Sequence, residues 1–571
     1  MRLGQAGIGS GVMVAAALSL AGMGAGGETA QGWEWTDALR AQVEAAMERW
    51  DRPGSPGVAL VLVGEGRVLL ERHWGMANLE HRVRIGSGTV FDSASVAKQF
   101  MGAAMAILVR EGRVGLEDDV RRYLPEMPDF GETITLGHLL HHTGGLRDWP
   151  GMFRLGGMDL REPIDLEMIL EMAGRARDLN FPPGERYLYS NTGYNLLAQV
   201  LERVTGHSLR AWTDERLFRP LGMVSTHFGE DPAETIPNRA EGYGPAGEGR
   251  FRRVMGPLAA RGSSSLHTTI ADLGRWLVEM ETGSVLGRGT IELMEQPGRT
   301  RSGGRVEYGY GVALDRHRGR QVVVHTGSWA GYRSITWRVP EHRFALGILA
   351  NVTTVDTTSL ARRLTDLILG MDGTASEGRI DAPDREGTGE IDGAAWTDYE
   401  GTYRLGPGWL LTIRREGGRL VTQATREASA AMTPMGSGTF HVEAYRQGME
   451  FVRDEESGLV THLRYRGIRA PKLEGAETEA PRLQVLAGEY WSEELRAMHR
   501  VELHDGALRC WQGPYRATRL RPVAKDHFET GNGMSIEFRR HGNGHPVEMR
   551  YSAGRVLDVR FVRGDYPGES R

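Results

Sequence analysis

FDSASVAKQF, residues 91–100, contains a serine and a lysine three positions apart, Ser95 and Lys98. An apolar run follows directly, and its spacing predicts a buried helix that begins near Ser95. Residues three apart share a helix face, so the lysine amine can reach the serine hydroxyl. The helix N-terminal amides would also favour negative charge at that serine. The stretch therefore predicts a serine nucleophile with a lysine as its candidate base.

Lysine is rare in this chain, which draws attention to Lys98. Only three of the 69 basic residues are lysines, namely Lys98, Lys472 and Lys525, and the others are arginines. Arginine replaces lysine in many surface roles, but it keeps its proton and cannot act as a base. The alternative, a surviving surface lysine on a helix, stays open at this point.

The composition indicates a globular protein. The 571 residues are 40% hydrophobic and 25% charged, with a net charge of −5. This length predicts about two to four domains. No block of like charges suggests a nucleic-acid surface, so we expect no nucleic-acid partner. The single cysteine, Cys510, excludes an intrachain disulfide and a cysteine-based metal site.

Residues 1–30 have the pattern of a secretory signal peptide. Arg2 supplies a positive charge, residues 12–20 form an apolar run too short to span a bilayer, and small residues follow. An uncleaved membrane anchor is the alternative. We expect an exported protein, periplasmic or extracellular, with no membrane contact after cleavage.

Residues 31–370 are predicted to form one hydrolase domain, with the order helix, hairpin, helices, strands and a final helix. This order predicts an α/β sandwich, in which helices flank an antiparallel sheet, plus a helical subdomain. Residues 371–395 are rich in Gly, Asp and Glu and predict a linker. Residues 396–470 and 483–566 repeat the same landmarks, such as Tyr399 to Tyr403 against Leu486 to Tyr490. Their short strands predict two small all-β, barrel-like domains.

A second polar stretch places Tyr189 and Asn191 two positions apart, just before a predicted helix. A phenol near a protonated lysine has a lowered pKa, so Tyr189 is a candidate base or proton relay. Asn191 could donate a hydrogen bond to a substrate carbonyl. The alternative is a helix start, with Ser190 or Asn191 as the cap.

A third stretch is a strand that ends in His325, Thr326, Gly327 and Ser328. Such a strand suits the edge of an active site, and Gly327 would allow the backbone of a ligand to approach closely. The amide of Ser328 could form an oxyanion hole together with the amide of Ser95. The alternative is a strand that ends in an ordinary glycine turn.

Three histidines, His138, His141 and His142, suggest a metal site at first sight. No carboxylate lies at ligand spacing around them, so we expect a structural loop instead. We expect neither a metal nor an organic cofactor. The pattern G-x-S-x-G is absent, which argues against an α/β-hydrolase nucleophile elbow.

The three motifs together are familiar. S-x-x-K at 95–98, Y-S-N at 189–191 and H-T-G at 325–327, with LLHHTGGL and YGYGV between them, resemble the class C β-lactamase-like family of penicillin-recognising serine hydrolases. The resemblance covers residues 38–370 and implies the sandwich fold. It implies that Ser95 is acylated and that Lys98 and Tyr189 handle its proton. It also implies an oxyanion hole from the Ser95 and Ser328 amides, and substrate binding by the following residues: Asn191, His325, Thr326 and Gly327.

The chain departs from the family at His325, where many members carry a lysine that helps bind a substrate carboxylate. A largely neutral histidine is a poorer anchor, which argues against β-lactamase activity. The family's D-aminopeptidase branch also carries two β-barrel domains after its catalytic domain.

The sequence thus predicts a hydrolase of small amides, peptides or esters that acts through an acyl-enzyme, with a D-stereospecific aminopeptidase as one form. An esterase or β-lactamase, and a receptor or scaffold without turnover, are the alternatives. Homo-oligomerisation is left open.

The second repeat contains a polar loop, residues 525–533, with acidic Asp526 and Glu529. By analogy with the two-barrel branch, this loop could cap the active site and meet the ammonium group of a substrate. A solvated hairpin loop is the alternative.

Overall fold

A computed structural model describes residues 33–371 and 393–564, apart from positions 255, 426, 437, 443, 445, 446, 466, 514–516, 532 and 543. The predicted signal peptide and nearly all of the predicted linker lie outside the described residues. Within the described ranges, no helix is both long enough and apolar enough to cross a bilayer.

A six-stranded antiparallel sheet forms the centre of the first 370 residues. Its strands, in spatial order, are Ala313–His317, Arg320–Trp329, Tyr332–Val339, Phe344–Ala350, Val58–Gly64 and Arg67–Trp74. The strand Val58–Gly64 is buried along its whole length because strands flank both its edges and helices cover both its faces. The predicted hairpin therefore brings the N-terminal strands beside the last strand of the region.

Helices cover both faces of the sheet. Asp37–Met47 and Thr357–Leu369 pack on one face, while Ala97–Arg110 and Ile270–Thr282 pack on the other. The remaining helices of this region are Leu136–Leu140, Trp149–Leu155, Leu166–Gly174, Asn191–Thr205, Leu209–Thr213 and Arg288–Met294. This arrangement confirms the predicted α/β sandwich with its helical subdomain.

Short strands complete the region. They are Met76–Asn78, Val83–Arg84, Phe91–Asp92, Ile164–Asp165, His227–Phe228, Tyr243–Pro245, Phe251–Arg253, Leu258–Ala259, Leu266–Thr268, Gly298–Arg299 and Arg305–Val306. Phe91–Asp92 pairs with Leu266–Thr268 and leads directly into the turn that carries Ser95.

The first repeat forms a four-stranded and a five-stranded sheet around a core of its own. Its strands are Gly401–Gly406, Trp409–Glu416, Arg419–Ala424, Ala430–Ala431, Thr433–Gly436, Thr439–Val442, Gln447–Arg453, Val460–Tyr465 and Ile468–Pro471. The second repeat, after the short helix Ala480–Gln484, forms a closed eight-stranded barrel. Its strands are Gly488–Ser492, Ala497–His504, Ala507–Gln512, Ala517–Ala524, His527–Thr530, Ser535–Arg540, Pro546–Ala553 and Val556–Arg563.

A tyrosine that recurs at the same place in both repeats makes the same hydrogen bond in each. Tyr403 donates a hydrogen bond from its phenol to the Tyr399 carbonyl over 2.8 Å, and Tyr490 donates to the Leu486 carbonyl over 2.8 Å. The recurring tyrosine thus ties the first strand of each repeat to the segment before it. The predicted all-β character of both repeats is confirmed.

The barrel packs tightly against the helical subdomain. Apolar residues of both belong to one continuous buried cluster. Arg147 and Glu494 form an ion pair across the junction at 2.6 Å, with side chains only 3% and 4% exposed. Asn180 adds two contacts, donating to the Arg555 carbonyl and accepting from the Leu557 amide. The second repeat is therefore part of the body that contains Ser95.

Candidate active site

Ser95 lies in a single 3-10 turn, Ala94–Val96, that leads into the helix Ala97–Arg110. The helix begins near Ser95, as its apolar spacing predicts. Ala94 has a φ of 48°, and its amide donates a 2.7 Å hydrogen bond to Asp92. A left-handed backbone is unfavourable for alanine, and such strain concentrates at functional sites. The turn directs Ser95 toward the open side of the sheet edge.

Lys98 is fully buried, and its amine has three close partners. Nζ lies 3.2 Å from the Ser95 hydroxyl, 2.8 Å from Asn191 Oδ1 and 2.7 Å from the Ser263 carbonyl. Burial lowers the pKa of Lys98 well below its ordinary value; the nearby Asp148 charge opposes this shift and Arg555 adds to it. The burial of Lys98 excludes the alternative of a surface lysine, and its lowered pKa favours the uncharged amine.

The hydrogen-bond geometry fits an uncharged amine. Two of the three partners, Asn191 Oδ1 and the Ser263 carbonyl, can only accept hydrogen bonds. In a neutral lysine they take the two N–H groups and leave the lone pair for the third partner. That partner is the Ser95 hydroxyl, which lies 3.2 Å from Nζ and can accept from the amine or donate to its lone pair.

Tyr189 differs from its predicted ionisation. Its phenol is buried, and Lys98 Nζ lies 4.8 Å from the centroid of its ring. Burial raises the pKa of Tyr189 above its ordinary value, and the neighbouring Ser95 hydroxyl opposes this only in part. The expectation of a lowered pKa is wrong because desolvation of the buried phenol is the largest influence on it. Tyr189 is a neutral phenol beside Ser95.

Asn191 begins the helix Asn191–Thr205, and Ser190 caps that helix through a 3.4 Å bond from the Gly193 amide. The cap and the site therefore coexist on neighbouring residues. Asn191 Nδ2 donates to Asp148 over 3.2 Å, while its Oδ1 accepts from Lys98. Both ends of the Asn191 amide thus contact protein groups, so it orients Lys98 within the site.

His325 lies on the strand Arg320–Trp329, in the part, residues 325–329, that extends past the neighbouring strand Ala313–His317 and so forms the sheet edge next to Ser95. Its Nδ1 donates to the Thr326 carbonyl over 2.8 Å, and its Nε2 accepts from the Tyr308 phenol over 2.8 Å. Burial lowers the pKa of His325 to about 3, so the ring is neutral at physiological pH. It offers no positive charge to a substrate carboxylate.

Gly327 packs closely against the turn that carries Ser95. A Cβ there would lie 2.1 Å from the Ser334 hydroxyl and 2.3 Å from the Ser93 carbonyl. The Ser334 hydroxyl and the Ser93 carbonyl of the chain itself thus approach Gly327 closely. Ser334 donates a 2.6 Å hydrogen bond to the same Ser93 carbonyl. Together these contacts fix the edge strand against the Ser95 turn.

The histidine-rich loop supports the site from behind. His138 completes the cap of its own helix, and His141 bonds the Tyr308 carbonyl at 2.9 Å. His142 accepts from the Ser190 amide over 3.2 Å, and its ring lies 4.3 Å from the ring of Tyr189. The loop therefore orders the segment that carries Tyr189, in line with the expected structural role.

A cleft of about 480 Å³ brings the predicted residues together. Its lining includes Ser95, Tyr189, Asn191, His325, Thr326 and Ser328. Lys98 and Gly327 do not line the cleft; they lie behind its wall, where Lys98 contacts Ser95 and Gly327 contacts Ser93. Three separate segments of sequence thus meet at one site, and Ser95 and Ser328 line the same cleft.

Two further residues at the site, Asp148 and Arg555, are not marked by any motif in the sequence. Arg555 lies in the turn between the last two barrel strands, and its side chain lines the cleft. Its Nε contacts the buried Asp148 carboxylate at 3.1 Å, and its guanidinium lies 5.0 Å from the Tyr189 ring centroid. Asp148 precedes Trp149–Leu155 at the cap position but makes no cap hydrogen bond, since its side chain binds Asn191 instead.

Asp526 and Glu529 do not form the acidic cap, which is one of the two interpretations of this stretch. Asp526 pairs with Arg540 at 2.6 Å, and the largely buried Glu529 pairs with Arg521. Neither residue lines the cleft. The second repeat does reach the site, but through a different turn and with the opposite charge, that of Arg555.

The antiparallel sheet flanked by helices and the buried lysine beside a serine define the class of serine hydrolases with a Ser-Lys pair. The model of the Beta-lactamase family matches residues 39–369, and the chain belongs to that family. The expected family is thereby confirmed, and the chain is a β-lactamase-like serine hydrolase.

Characterised relatives are similar over most of their length. Penicillin-binding protein 4* of Bacillus subtilis is 26% identical over 414 residues, which is 70% of this chain and 90% of the relative. A D-aminopeptidase of Cereibacter sphaeroides is 26% identical over 547 residues, which is 92% of this chain and 96% of the relative. The second match extends through both repeats.

Solved structures show the same fold. The octameric penicillin-binding protein homologue of Pyrococcus abyssi has a TM-score of 0.51 at 20% identity and covers 84% of this chain and 100% of its own. SurE has a TM-score of 0.53 at 23% identity and covers 76% of this chain and 98% of its own.

Proposed function

We propose that this chain is an exported hydrolase of small amides, peptides or esters that works through an acyl-enzyme on Ser95. The observation that carries the proposal is the Lys98 amine, which is fully buried and 3.2 Å from the Ser95 hydroxyl, and whose pKa is lowered by that burial. Few arrangements activate a serine without a histidine, and a desolvated lysine is one of them. The export rests on the signal-like residues 1–30.

The reaction uses each group in turn. Ser95 Oγ attacks the substrate carbonyl carbon while its proton passes to Lys98, and the amides of Ser95 and Ser328 stabilise the oxyanion. The bond to the leaving amine or alcohol then breaks, and the leaving group takes a proton from Lys98 through the neutral phenol of Tyr189. A water molecule then attacks the carbonyl carbon of the Ser95 ester while its proton passes to Lys98. The bond between this carbon and Ser95 Oγ breaks, and Lys98 returns the proton to Oγ, which releases the acid and regenerates both residues.

Asn191 and Thr326 line the cleft on either side of Ser95. Asn191 holds Lys98 in place through its amide oxygen, and the exposed Thr326 offers a hydroxyl to substrate. His325 stays neutral and fixes the strand through Tyr308. Substrate binding through this strand therefore needs no substrate carboxylate.

A D-stereospecific aminopeptidase is the second candidate, supported by the similarity to D-aminopeptidases over 92% of the chain. The charges of the cleft favour other substrates. Among the described residues that line it, none is an Asp or Glu, and two are arginines, Arg154 and Arg555. A free α-ammonium group would find no carboxylate there. Neutral esters and amides are the better fit.

The test is turnover of a short-chain p-nitrophenyl ester by the full chain, together with labelling by a fluorophosphonate. Ser95→Ala should lose both, and Ser93→Ala should keep both. Ser93 is the matched control because it is two residues away, fully buried and absent from the cleft. Wild-type turnover by the Ser95 variant would refute the proposal, and labelling without any turnover would favour a receptor.

The substrate class is tested with a panel of D- and L-aminoacyl p-nitroanilides, their N-acetylated forms and a chromogenic cephalosporin. We expect faster hydrolysis of the N-acetylated than of the free-amino substrates, and little cephalosporin turnover. A strong preference for free D-amino substrates would establish the aminopeptidase instead.

A further inference from the structure

Asp148 is a buried carboxylate that the proposed reaction does not use. It is 2% exposed and accepts hydrogen bonds from the Asn191 amide at 2.7 Å and from Asn191 Nδ2 at 3.2 Å. A buried charge needs a countercharge to be tolerated. The countercharge in contact with it is Arg555, 3.1 Å away on the second repeat.

A continuous chain of contacts connects the barrel to the nucleophile. Arg555 pairs with Asp148, Asp148 accepts from Asn191, and Asn191 accepts from Lys98, which contacts Ser95. Asn191 can present its oxygen to Lys98 only because its NH₂ group faces the Asp148 carboxylate. The orientation of this one amide therefore links the ion pair to the lysine.

Two basic side chains, Lys98 and Arg555, lie near Asp148, and both can interact with its negative charge. A carboxylate that faces Lys98 without a partner would favour the ammonium form of the lysine. Arg555 removes much of that attraction, and its own charge disfavours a second cation close by. Accordingly, Asp148 raises the pKa of Lys98 while Arg555 lowers it.

We propose that Arg555 is a positioning residue for Lys98: by pairing with Asp148, the second repeat leaves Lys98 as an uncharged base beside Ser95. The inference rests on the proposed function and goes beyond it, because it makes the barrel a functional part of the active site. A barrel that is displaced would leave the Ser-Lys pair in place but with a higher pKa at Lys98.

The other titratable groups around Lys98 are uncharged. The rings of Tyr189 and Tyr194 lie 4.8 and 5.6 Å from Nζ, and burial raises the pKa of both phenols. Burial lowers the pKa of His142 and His325. Within the described parts of the chain, Asp148 and Arg555 are thus the two charged groups that act on Lys98.

The test compares Arg555→Gln, Asp148→Asn and the double variant in the full-length enzyme, by the pH dependence of kcat/KM for a neutral ester. Arg555→Gln should move the acid limb of the profile upward by about one pH unit or more, which is a tenfold loss at pH values below the limb. The rate should recover at high pH. The double variant, which carries Asp148→Asn as well as Arg555→Gln, should have an acid limb closer to that of the wild type.

Two further variants separate charge from structure. Arg555→Lys keeps the positive charge and should hold the limb within about half a pH unit of wild type. Arg519→Gln removes an exposed arginine from the same barrel, remote from the cleft, and should leave the profile unchanged. Melting temperatures of all variants show which remain folded.

The scarcity of lysine allows a direct measurement that does not depend on turnover. In protein labelled with ¹³C-lysine, three Cε signals are expected, and Lys98→Met identifies the one from Lys98. Titrated in a Ser95→Ala background, that signal should show a higher pKa when Arg555 is glutamine. An unchanged lysine pKa, which would mean that Asp148 takes up the proton instead, overturns the inference.

The outcomes distinguish this inference from the proposed function. Activity that survives Ser95→Ala and Lys98→Ala refutes the function itself. If those variants are inactive but Arg555→Gln lowers the rate equally at every pH, or the double variant is worse than Arg555→Gln, only the role of Arg555 fails. A shifted limb that the double variant reverses supports it.

Discussion

At the scale of single residues, burial favours the uncharged forms of three side chains in the site. Burial lowers the pKa of Lys98 and of His325 and raises the pKa of Tyr189, so it favours the uncharged form of each side chain. A polar cluster without net charge is cheaper to bury than an ion pair. The proposed reaction begins with proton transfer at the Ser95–Lys98 contact.

Lys98→Arg should be as inactive as Lys98→Ala, with turnover of a neutral ester reduced at least about a thousandfold in both. Arginine has the same charge when protonated but does not release its proton. The measurement is kcat/KM, with the melting temperature as a check on folding. An arginine variant that retains most of the rate would show that Lys98 acts as a charge and not as a base.

Asp92→Asn should stabilise the protein at neutral pH. Asp92 is buried, and burial raises its pKa from 3.8 to about 6, although the Ala94 amide donates to it. The folded state holds this proton more tightly than the unfolded chain does. Its contribution is therefore present below pH 4 and lost as pH rises toward 6, at a cost of up to about 3 kcal/mol.

Asparagine keeps the acceptor oxygen for the Ala94 amide and has no charge to desolvate. Urea midpoints between pH 4 and 7 should fall less steeply for Asp92→Asn than for wild type. Asp505→Asn, at an exposed position, is the control and should not change the slope. Equal slopes for Asp92→Asn and wild type would contradict the expectation.

At the scale of elements, the site is a meeting of a helix, a helix start and an edge strand. The order and spacing of the three motifs predicted all of these, because each motif lies at the end of an element with a clear apolar pattern. The helices at 97–110 and 191–205 and the strand at 320–329 are where the patterns place them.

Gly327→Ala tests how tightly the edge strand must approach the Ser95 turn. The added methyl group would meet the Ser334 hydroxyl at 2.1 Å and the Ser93 carbonyl at 2.3 Å, so the strand and the turn must separate. We expect kcat/KM to fall at least about a hundredfold, since displacements near 1 Å cost that much. Gly88→Ala, in open space just before the same turn, should remain near wild type.

Asp148 and Arg555 could not be predicted from the sequence for physical reasons. Asp148 stands before Trp149 and Pro150, where an aspartate is typical of a helix cap, and only the fold turns its side chain toward Asn191. Arg555 is one of many arginines on polar turns, and no periodicity marks it. Its position depends on how the barrel docks, which local patterns do not contain.

At the scale of the whole molecule, the barrel is held to the catalytic region by the buried pair of Arg147 and Glu494. Glu494→Gln should destabilise the full chain by about 3 to 5 kcal/mol, because Arg147 would remain buried without its countercharge. Denaturant unfolding measures this. The neighbouring pair of Arg177 and Glu493 is 67% and 65% exposed, so Glu493→Gln should change stability by less than about 1 kcal/mol.

Replacing both members of the buried pair, as in Arg147→Met with Glu494→Leu, should recover most of the stability lost by Glu494→Gln alone. A double variant as unstable as the single one would show that Arg147 and Glu494 contribute more to stability than the neutralisation of each other's charge. Activity should follow stability in this series if the barrel must be docked for turnover.

The position of Arg555 near the end of the chain has a consequence for biosynthesis. Chains fold from the N-terminus as they leave the ribosome, so the Ser-Lys pair is assembled long before the last barrel hairpin exists. During that interval Asp148 has no arginine partner, and Lys98 holds its proton. By the inference above, the nascent enzyme would hydrolyse esters and amides more slowly at pH values below the shifted acid limb, until the final two strands have closed the barrel.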